Sequence, residues 1–242
     1  MKRLYANGGL FLVSVGVALA LAAAGLTANV ALFANDAPTR STTAAEPPEG
    51  EEQSGESPES MLGEPIRWRR SVPVGRPYAG RLVRGVELPS EGEDFFTWDP
   101  IRRVAPNRDW RRYGTDRLLR VLLGVLREFH AVHPGAPRVG IGDLSRPRGG
   151  DFGRRFGLPG HASHQNGLDA DVYYPRLDRR EQEPTSVAEI DRALAQDLVN
   201  RFVRVGARFV FVGRSVGLRG NRRIVQAIPR HDNHLHVRLW PP

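Results

Sequence analysis

The chain has 242 residues, no cysteine, a single lysine at position 2 and a formal net charge of +8 at pH 7. The lack of cysteine excludes disulfides and a thiol nucleophile. Because Lys2 is the sole lysine, the Ser-x-x-Lys chemistry of penicillin-binding enzymes is also excluded. Histidine, aspartate and glutamate remain as candidates for acid–base chemistry or metal binding.

The N-terminal segment, residues 1–35, has the pattern of an export signal. Lys2 and Arg3 precede an apolar run over residues 8–34 that contains only three polar residues. Such a run exceeds the roughly 20 residues that a helix needs to cross a bilayer, which disfavours a buried helix of a soluble core. Positive charge on this flank predicts that the N-terminus stays in the cytoplasm. Small residues at 22–24 would suit cleavage, so a retained anchor and a cleaved signal are both open.

Residues 36–65 are predicted to form a disordered acidic linker. This segment holds eight acidic residues, one arginine and many Pro, Ser and Gly residues, with almost no large apolar groups. A sequence of this kind cannot bury enough apolar surface to fold. We therefore divide the chain into residues 1–35 (signal or anchor), 36–65 (linker) and 66–242 (folded domain).

The folded domain is strongly basic. The whole chain carries +8, residues 1–35 carry +2 and residues 36–65 carry −7, so residues 66–242 carry +13. A basic exported domain favours an anionic partner, such as a cell-wall polymer or a lipid surface. Nucleic acid is the rival interpretation, and the export segment disfavours it. A solvated arginine-rich surface without any particular ligand is the plainer alternative.

The first elements of the domain are predicted from local patterns. Residues 67–110, rich in Gly, Pro and Arg, indicate loops and short strands that wrap the surface. Thr115 is placed as the N-cap of a helix that the sequence His133-Pro134-Gly135 ends. Residues 139–144 are predicted to form a short strand. The apolar positions of the helix are Leu118, Leu119, Leu122, Leu126 and Phe129.

The second half of the domain adds one helix and three strands. Ser186 and Glu189 form a capping-box pattern that predicts the start of a helix. Residues 208–213, 223–228 and 234–239 are strand-like. The inward positions of the predicted helix are Ile190, Leu194, Leu198 and Phe202. Because helices and strands do not alternate regularly, we predict an α+β domain with a mostly antiparallel central sheet and flanking helices.

Five of the seven histidines fall in two clusters, His161 with His164 and His231 with His234 and His236. In the strand HLHVRL, alternation places His234, His236 and Arg238 on one face and the apolar residues on the other. The imidazoles are thereby predicted to point together into a shared space. His130 and His133, by contrast, lie at a helix C-terminus, where the helix dipole favours positive charge, and are interpreted as structural.

The first cluster lies in GHASHQNGLDAD, residues 160–171. Gly167 permits a tight turn, after which Asp169 and Asp171 share one face of a strand. Two histidines and one carboxylate, with a fourth position left for water, form a common catalytic zinc arrangement. Ser163 lacks a nucleophile-elbow pattern and is not favoured as a nucleophile.

These motifs resemble a known family. His164-x6-Asp171 with His234-x-His236 is similar to the zinc site shared by lysostaphin-type endopeptidases, D-Ala-D-Ala metallopeptidases and hedgehog domains. The closer resemblance is to the penicillin-insensitive murein endopeptidases. It covers about residues 71–240, with weaker support from IGD at 141–143 and from the glycines and Leu-Pro between Gly75 and Pro89. Unlike family members with disulfides, this chain has none.

The resemblance implies a set of site residues. The zinc ligands would be His164, Asp171 and His236, and His234 would be the catalytic base. His161 and His231 would line the site. In a mechanism built from these residues, an imidazolium from His231 or His161 would help to stabilise the oxyanion. From the residues themselves, Asp169 is expected to orient a ligand imidazole, and Asp232 and Asn233 to shape the turn before the last strand.

The resulting hypothesis is an exported Zn²⁺-dependent murein endopeptidase that hydrolyses peptide cross-links of peptidoglycan. The resemblance implies that the bond cleaved is the one between D-alanine and meso-diaminopimelate. A non-catalytic zinc-containing cell-wall binding module is the alternative. The expected partners are peptidoglycan and, through residues 8–34, the cytoplasmic membrane, with no nucleic acid. The expected location is extracytoplasmic, in the periplasm or on the cell-wall side. The oligomeric state is left open, a homodimer included.

Overall fold

A computed structural model of the protein describes residues 65–152 and 162–242. The predicted export segment, the predicted linker up to residue 64 and His161 lie outside these described residues. Neither of the α-helices in the described part of the chain is long and apolar enough to cross a membrane.

Within these residues the chain forms eleven β-strands and two α-helices. The strands are β1 (Val72–Arg76), β2 (Ala79–Val83), β3 (Val86–Glu87), β4 (Glu91–Gly92), β5 (Phe95–Thr97), β6 (Tyr113–Gly114), β7 (Val139–Ile141), β8 (Asp169–Tyr173), β9 (Phe209–Gly213), β10 (Val225–Ile228) and β11 (His234–Arg238). The helices are α1 (Asp116–Val132) and α2 (Arg192–Arg204).

Seven of the described strands form one sheet in the order β10–β9–β11–β8–β7–β5–β4. The β9–β10 and β5–β7 pairs are parallel, and the other neighbours are antiparallel. The prediction of an α+β domain with a mostly antiparallel sheet is therefore confirmed, and the sheet is mixed at these two positions. Two small antiparallel sheets, β1–β2 and β3–β6, accompany it.

Strand alternation gives β8 and β11 one apolar face and one polar face. Ala170 and Val172 of β8, with Leu235 and Val237 of β11, belong to the main hydrophobic core. The buried apolar residues of both helices belong to the same core. The helices therefore cover the apolar face, and Asp169, Asp171, His234 and His236 lie on the opposite face.

Helix α1 agrees with the prediction. The Thr115 side chain accepts a hydrogen bond from the backbone N–H of Leu118, and the helix ends at Val132, with His133 as its C-cap. All five residues of its predicted apolar stripe are buried. His130 contacts the backbone oxygens of Leu126 and Pro137, as expected of a structural histidine.

The predicted start of α2 is wrong by one turn. Ser186 caps only a short 3-10 turn, Val187–Glu189, through the N–H of Ala188. The α-helix begins at Arg192, and the Asp191 side chain accepts from the N–H groups of Ala193 and Leu194. Both residues are good N-caps, so local chemistry alone does not distinguish them.

Residues 67–110 form short strands, as predicted, but not only a surface layer. Strands β4 and β5 join the central sheet, where Phe95 of β5 pairs with Val139 of β7. Leu88 and Phe95 are buried in the main core. The prediction failed here because strands of two or three residues are too short for a periodic hydrophobic pattern.

Candidate metal centre

The candidate site is built on two neighbouring strands of the central sheet. In the antiparallel pairing of β8 and β11, His236 lies directly opposite Asp171, on the polar face. His164 reaches the same point from the loop before β8. All three side chains are almost fully buried, His164 at 0%, Asp171 at 4% and His236 at 5% exposure.

The three side chains converge on one carboxylate oxygen. Asp171 Oδ1 lies 3.4 Å from His164 Nε2 and 3.0 Å from His236 Nδ1. One donor atom from each residue lies within 4.8 Å of the others, a spacing at which one metal ion could contact all three. Two imidazole nitrogens and an ionised carboxylate suit a divalent transition metal.

The loop before β8 holds His164 in an unusual backbone conformation. His164 has a φ of +68°, and Gly167 has a φ of +74°. A left-handed conformation is costly for a residue other than glycine and persists where the surroundings fix it. Here the N–H of His164 donates to Asp169 Oδ2 at 3.0 Å, and the ring of Phe152 packs 5.8 Å from its imidazole. The predicted tight turn at Gly167 is confirmed.

Asp169 connects His164, in the loop before β8, to residues of strand β11. Its Oδ1 lies 3.3 Å from His236 Nε2 and accepts a hydrogen bond from Arg238 Nε at 2.6 Å. Asp169 thus contacts the backbone of His164 and the side chain of His236. This contact agrees with the prediction that Asp169 orients an imidazole, and it leaves Nδ1 of His236 facing Asp171.

Electrostatics favour the ionised forms of Asp169, Asp171 and His236. Burial would raise the pKa of Asp171, but the charges of His164 and His234 outweigh it and hold the pKa well below the usual range. Burial would likewise raise the pKa of Asp169, and contact with His236 lowers it instead. Burial lowers the pKa of His236, but contacts with Asp169 and Asp171 raise it to about 9. Two buried anions therefore attract positive charge to this point.

Two further histidines border the cluster. His234 Nε2 lies 3.6 Å from Asp171 Oδ1, and the His231 ring centroid lies 4.8 Å from that of His234. Nδ1 of His231 lies 2.8 Å from the backbone oxygen of Pro229. Burial lowers the pKa of His231, and the nearby His236 and His164 also lower it. Four of the five clustered histidines are thus brought together, and His161 lies outside the described residues.

Asn233 is a site residue that the sequence did not reveal, since it was expected only to shape a turn. Its Oδ1 lies 2.7 Å from His234 Nδ1, and its Nδ2 donates to Glu183 Oε2 at 2.9 Å. Because an amide oxygen accepts, Nδ1 of His234 donates this hydrogen bond, and the ring is thereby held with Nε2 toward Asp171. Asp232 accepts from the N–H of Ser215, which connects the segment before β11 to the segment after β9.

Two other supporting features were missed. Phe211 of β9 lies on the polar face, with its ring 5.5 Å from that of His236, and alternation of Phe209 and Phe211 with buried valines was the available signal. Beside β8, in the segment that follows β7, Asp143 forms an almost fully buried ion pair with Arg111. The N–H of Asp171 donates to the backbone oxygen of Asp143, so this pair supports the strand that carries Asp171.

The α+β fold with a His–Asp–His cluster on one sheet face is a frame suited to metal-assisted chemistry. Residues 73–209, more than half of the chain, match the family model described as penicillin-insensitive murein endopeptidase. The chain belongs to this peptidase family, as the resemblance predicted. It is also 24% identical over 220 residues to a penicillin-insensitive murein endopeptidase of Haemophilus influenzae, covering 76% of this chain and 72% of that protein.

Proposed function

We propose that this chain is an extracytoplasmic, zinc-dependent endopeptidase that hydrolyses peptide cross-links of peptidoglycan. The observation that carries the proposal is the buried cluster of His164, Asp171 and His236 in a member of the murein endopeptidase family. In this proposal these three residues are the zinc ligands. The cluster supplies the donor set of a catalytic zinc site, two histidines and one carboxylate, which leaves a fourth position for water.

The spacing of the donor atoms supports zinc. Tetrahedral bonds of about 2.0–2.1 Å place neighbouring ligand atoms about 3.3 Å apart. Two of the three separations, 3.4 Å from His164 Nε2 and 3.0 Å from His236 Nδ1 to Asp171 Oδ1, lie on either side of this value, and all three donor atoms lie within 4.8 Å of one another. Asp169, against Nε2 of His236, is the carboxylate that commonly holds the far nitrogen of a ligand imidazole.

The chain's own residues account for proton transfer. When bound, zinc supplies Lewis acidity that polarises a carbonyl and acidifies a water molecule. His234 is the base: its Nε2 faces the cluster, and Asn233 holds the proton on Nδ1. After attack on the amide carbonyl, His234 returns the proton to the leaving amine.

His231 and His161 are proposed to stabilise the oxyanion. The ring of His231 lies 4.8 Å from that of His234 and 5.9 Å from that of His236, which places it at the rim of the cluster. An imidazole N–H aimed at developing negative charge contributes most where water is excluded. The role of His161 rests on its sequence position beside His164.

The substrate follows from the family. The bond that we propose is the one between D-alanine and meso-diaminopimelate. Hydrolysis by an activated water needs no acyl-enzyme, so a β-lactam finds no serine to acylate in this mechanism. Insensitivity to penicillin is then a consequence of the chemistry.

The domain plan belongs to the same proposal. Residues 1–35 would export the chain or anchor it in the cytoplasmic membrane, 36–65 would be the linker, and 66–242 would be the catalytic domain. A topology reporter fused after Asp36 tests this plan. Activity of the reporter on the outer side of the cytoplasmic membrane is expected, and recovery of the intact chain in the cytoplasm would refute it.

The deciding experiment is digestion of purified peptidoglycan by the full-length protein, with and without a metal chelator. Analysis of the released muropeptides should show cross-linked dimers converted to monomers cut at D-alanyl–diaminopimelate. The chelator should stop this conversion, and added Zn²⁺ should restore it. Binding to peptidoglycan without cleavage would instead identify a non-catalytic wall-binding module.

A further inference from the structure

A cavity lies next to segments that carry residues of the candidate metal centre. Its volume is about 450 Å³, and its lining residues are Arg76, Pro77, Tyr78, Arg208 and Arg238. One wall adjoins His164, because the N–H of Gln165 donates to the backbone oxygen of Pro77 at 2.9 Å. The other wall is β11, where Arg238 follows His236 by two residues and shares its face. Both walls are therefore attached to residues of the cluster.

This cavity carries an excess of positive charge. Within residues 65–152 and 162–242, the three arginines that line the cavity form one ion pair. It joins Arg238 Nε to Asp169 Oδ1 at 2.6 Å. Arg76 and Arg208 add two positive charges that no described carboxylate neutralises. Moreover, Nε of Arg208 is buried and has no hydrogen-bond partner within the described part of the chain. A buried donor of this kind is costly unless a ligand accepts its hydrogen bond.

Arg208 and Arg238 are held in place before any ligand arrives. The guanidinium carbon of Arg208 lies 4.7 Å from the ring centroid of Trp240 and 5.3 Å from that of Phe209. The backbone N–H of Arg208 donates to the oxygen of Arg238 at 2.8 Å, which fixes the two residues side by side. Across the cavity, Arg76 Nη1 donates to the Tyr78 hydroxyl at 3.1 Å. Such preorganisation lowers the entropic cost of binding.

The geometry points to a binding site for an oxyanion, and we infer that its ligand is a free carboxylate of the peptide that the enzyme cleaves. This inference rests on the proposed function, because it assigns a substrate subsite beside the metal centre. Guanidinium groups bind carboxylates through paired N–H donors. Two residues of strand span about 7 Å, so the carboxylate would lie one or two residues from the scissile amide. A phosphate group of a wall polymer or lipid is the other source of the same chemistry.

The test compares two synthetic cross-linked peptides that differ only in free or amidated carboxylates. The zinc-loaded, full-length protein is assayed beside Arg208→Gln and Arg76→Gln. Arg127→Gln, which removes the same charge from an exposed position on α1, is the control. In the wild type, amidation should raise KM about tenfold, as the loss of a charged hydrogen bond would. Each cavity variant should raise KM for the free peptide by a similar factor, with little change in kcat, and should discriminate less between the peptides.

Calorimetric titration of the same peptides measures the cavity without turnover. Carboxylate-dependent binding that both cavity variants weaken would support the site, even if the wild type hydrolysed neither peptide and the proposed function failed. Hydrolysis with equal KM values in all four proteins, or an equal KM change in Arg127→Gln, would overturn it. Competition by inorganic phosphate together with indifference to amidation would also overturn it, in favour of a phosphate ligand.

Discussion

Among single residues, His234 is the one whose replacement distinguishes a catalytic metal site from a structural one. It faces Asp171 but is not one of the three converging donors. We expect His234→Ala to retain zinc and to lower kcat by roughly 10²- to 10⁴-fold, the usual cost of removing a general base. Zinc content and hydrolysis rate are measured on the same sample, with His133→Gln as the control. Loss of zinc would make His234 a ligand, and unchanged turnover would move the base to His231 or His161.

Asn233 should act through His234. If its amide oxygen fixes the orientation of the His234 imidazole, Asn233→Ala should lower kcat by roughly tenfold to a hundredfold. KM and zinc content should remain unchanged. Asn233→Asp combined with Glu183→Gln restores an acceptor for Nδ1 without setting two carboxylates 2.9 Å apart, and it should recover part of the rate. Steady-state kinetics with metal analysis checks the single and the double variant. An equal loss in both would contradict the orienting role.

At the scale of elements, the N-terminus of α2 gives a direct test of the structural assignment. Asp191 accepts two backbone N–H bonds at the start of the α-helix, whereas Ser186 caps one short turn. Asp191→Ala should reduce the free energy of unfolding by about 1 kcal/mol, and Ser186→Ala by less. Urea denaturation of the two variants shows which one loses more free energy of unfolding. The reverse order would indicate that the helix begins where the sequence pattern placed it.

The loop after β5 should make stability depend on pH. Asp99 is fully buried, accepts from the N–H groups of Ile101 and Arg102, and pairs with Arg108 Nε at 2.5 Å. Burial would raise the pKa of Asp99, but contact with Arg108 and the backbone donors outweighs burial and lowers it. A carboxyl group whose pKa is lower in the folded state stabilises the fold at pH values above its unfolded-state pKa of about 3.9. This contribution is lost as the pH falls through the folded-state pKa.

Asp99→Asn should therefore lower the free energy of unfolding at pH 7 by about 2–4 kcal/mol, because it breaks a buried charged contact. The difference between wild type and variant should shrink as the pH falls below about 4. Urea denaturation at neutral and acidic pH measures it, with exposed Asp109→Asn as the control. A difference that stays constant with pH would show that the charge of Asp99 does not contribute.

At the scale of the whole molecule, the parts predictable from sequence are those set by strand and helix periods. Alternation in β11 correctly separates His234 and His236 from Leu235 and Val237, and the period of α1 identifies its buried stripe. Asn233 was not predictable, because its role depends on Glu183, 50 residues away in sequence. The cavity of Arg76, Arg208 and Arg238 likewise joins distant segments, so the +13 charge of residues 66–242 predicts an anionic partner without locating it.

We propose that His164, Asp171 and His236 hold the zinc on which hydrolysis depends. The most direct measurement is the zinc content of purified full-length protein and of His236→Ala, with peptidoglycan hydrolysis assayed on the same samples. We expect about one zinc per wild-type chain, and neither zinc nor hydrolysis in the variant. A metal-free preparation that hydrolyses peptidoglycan at the full rate would contradict it.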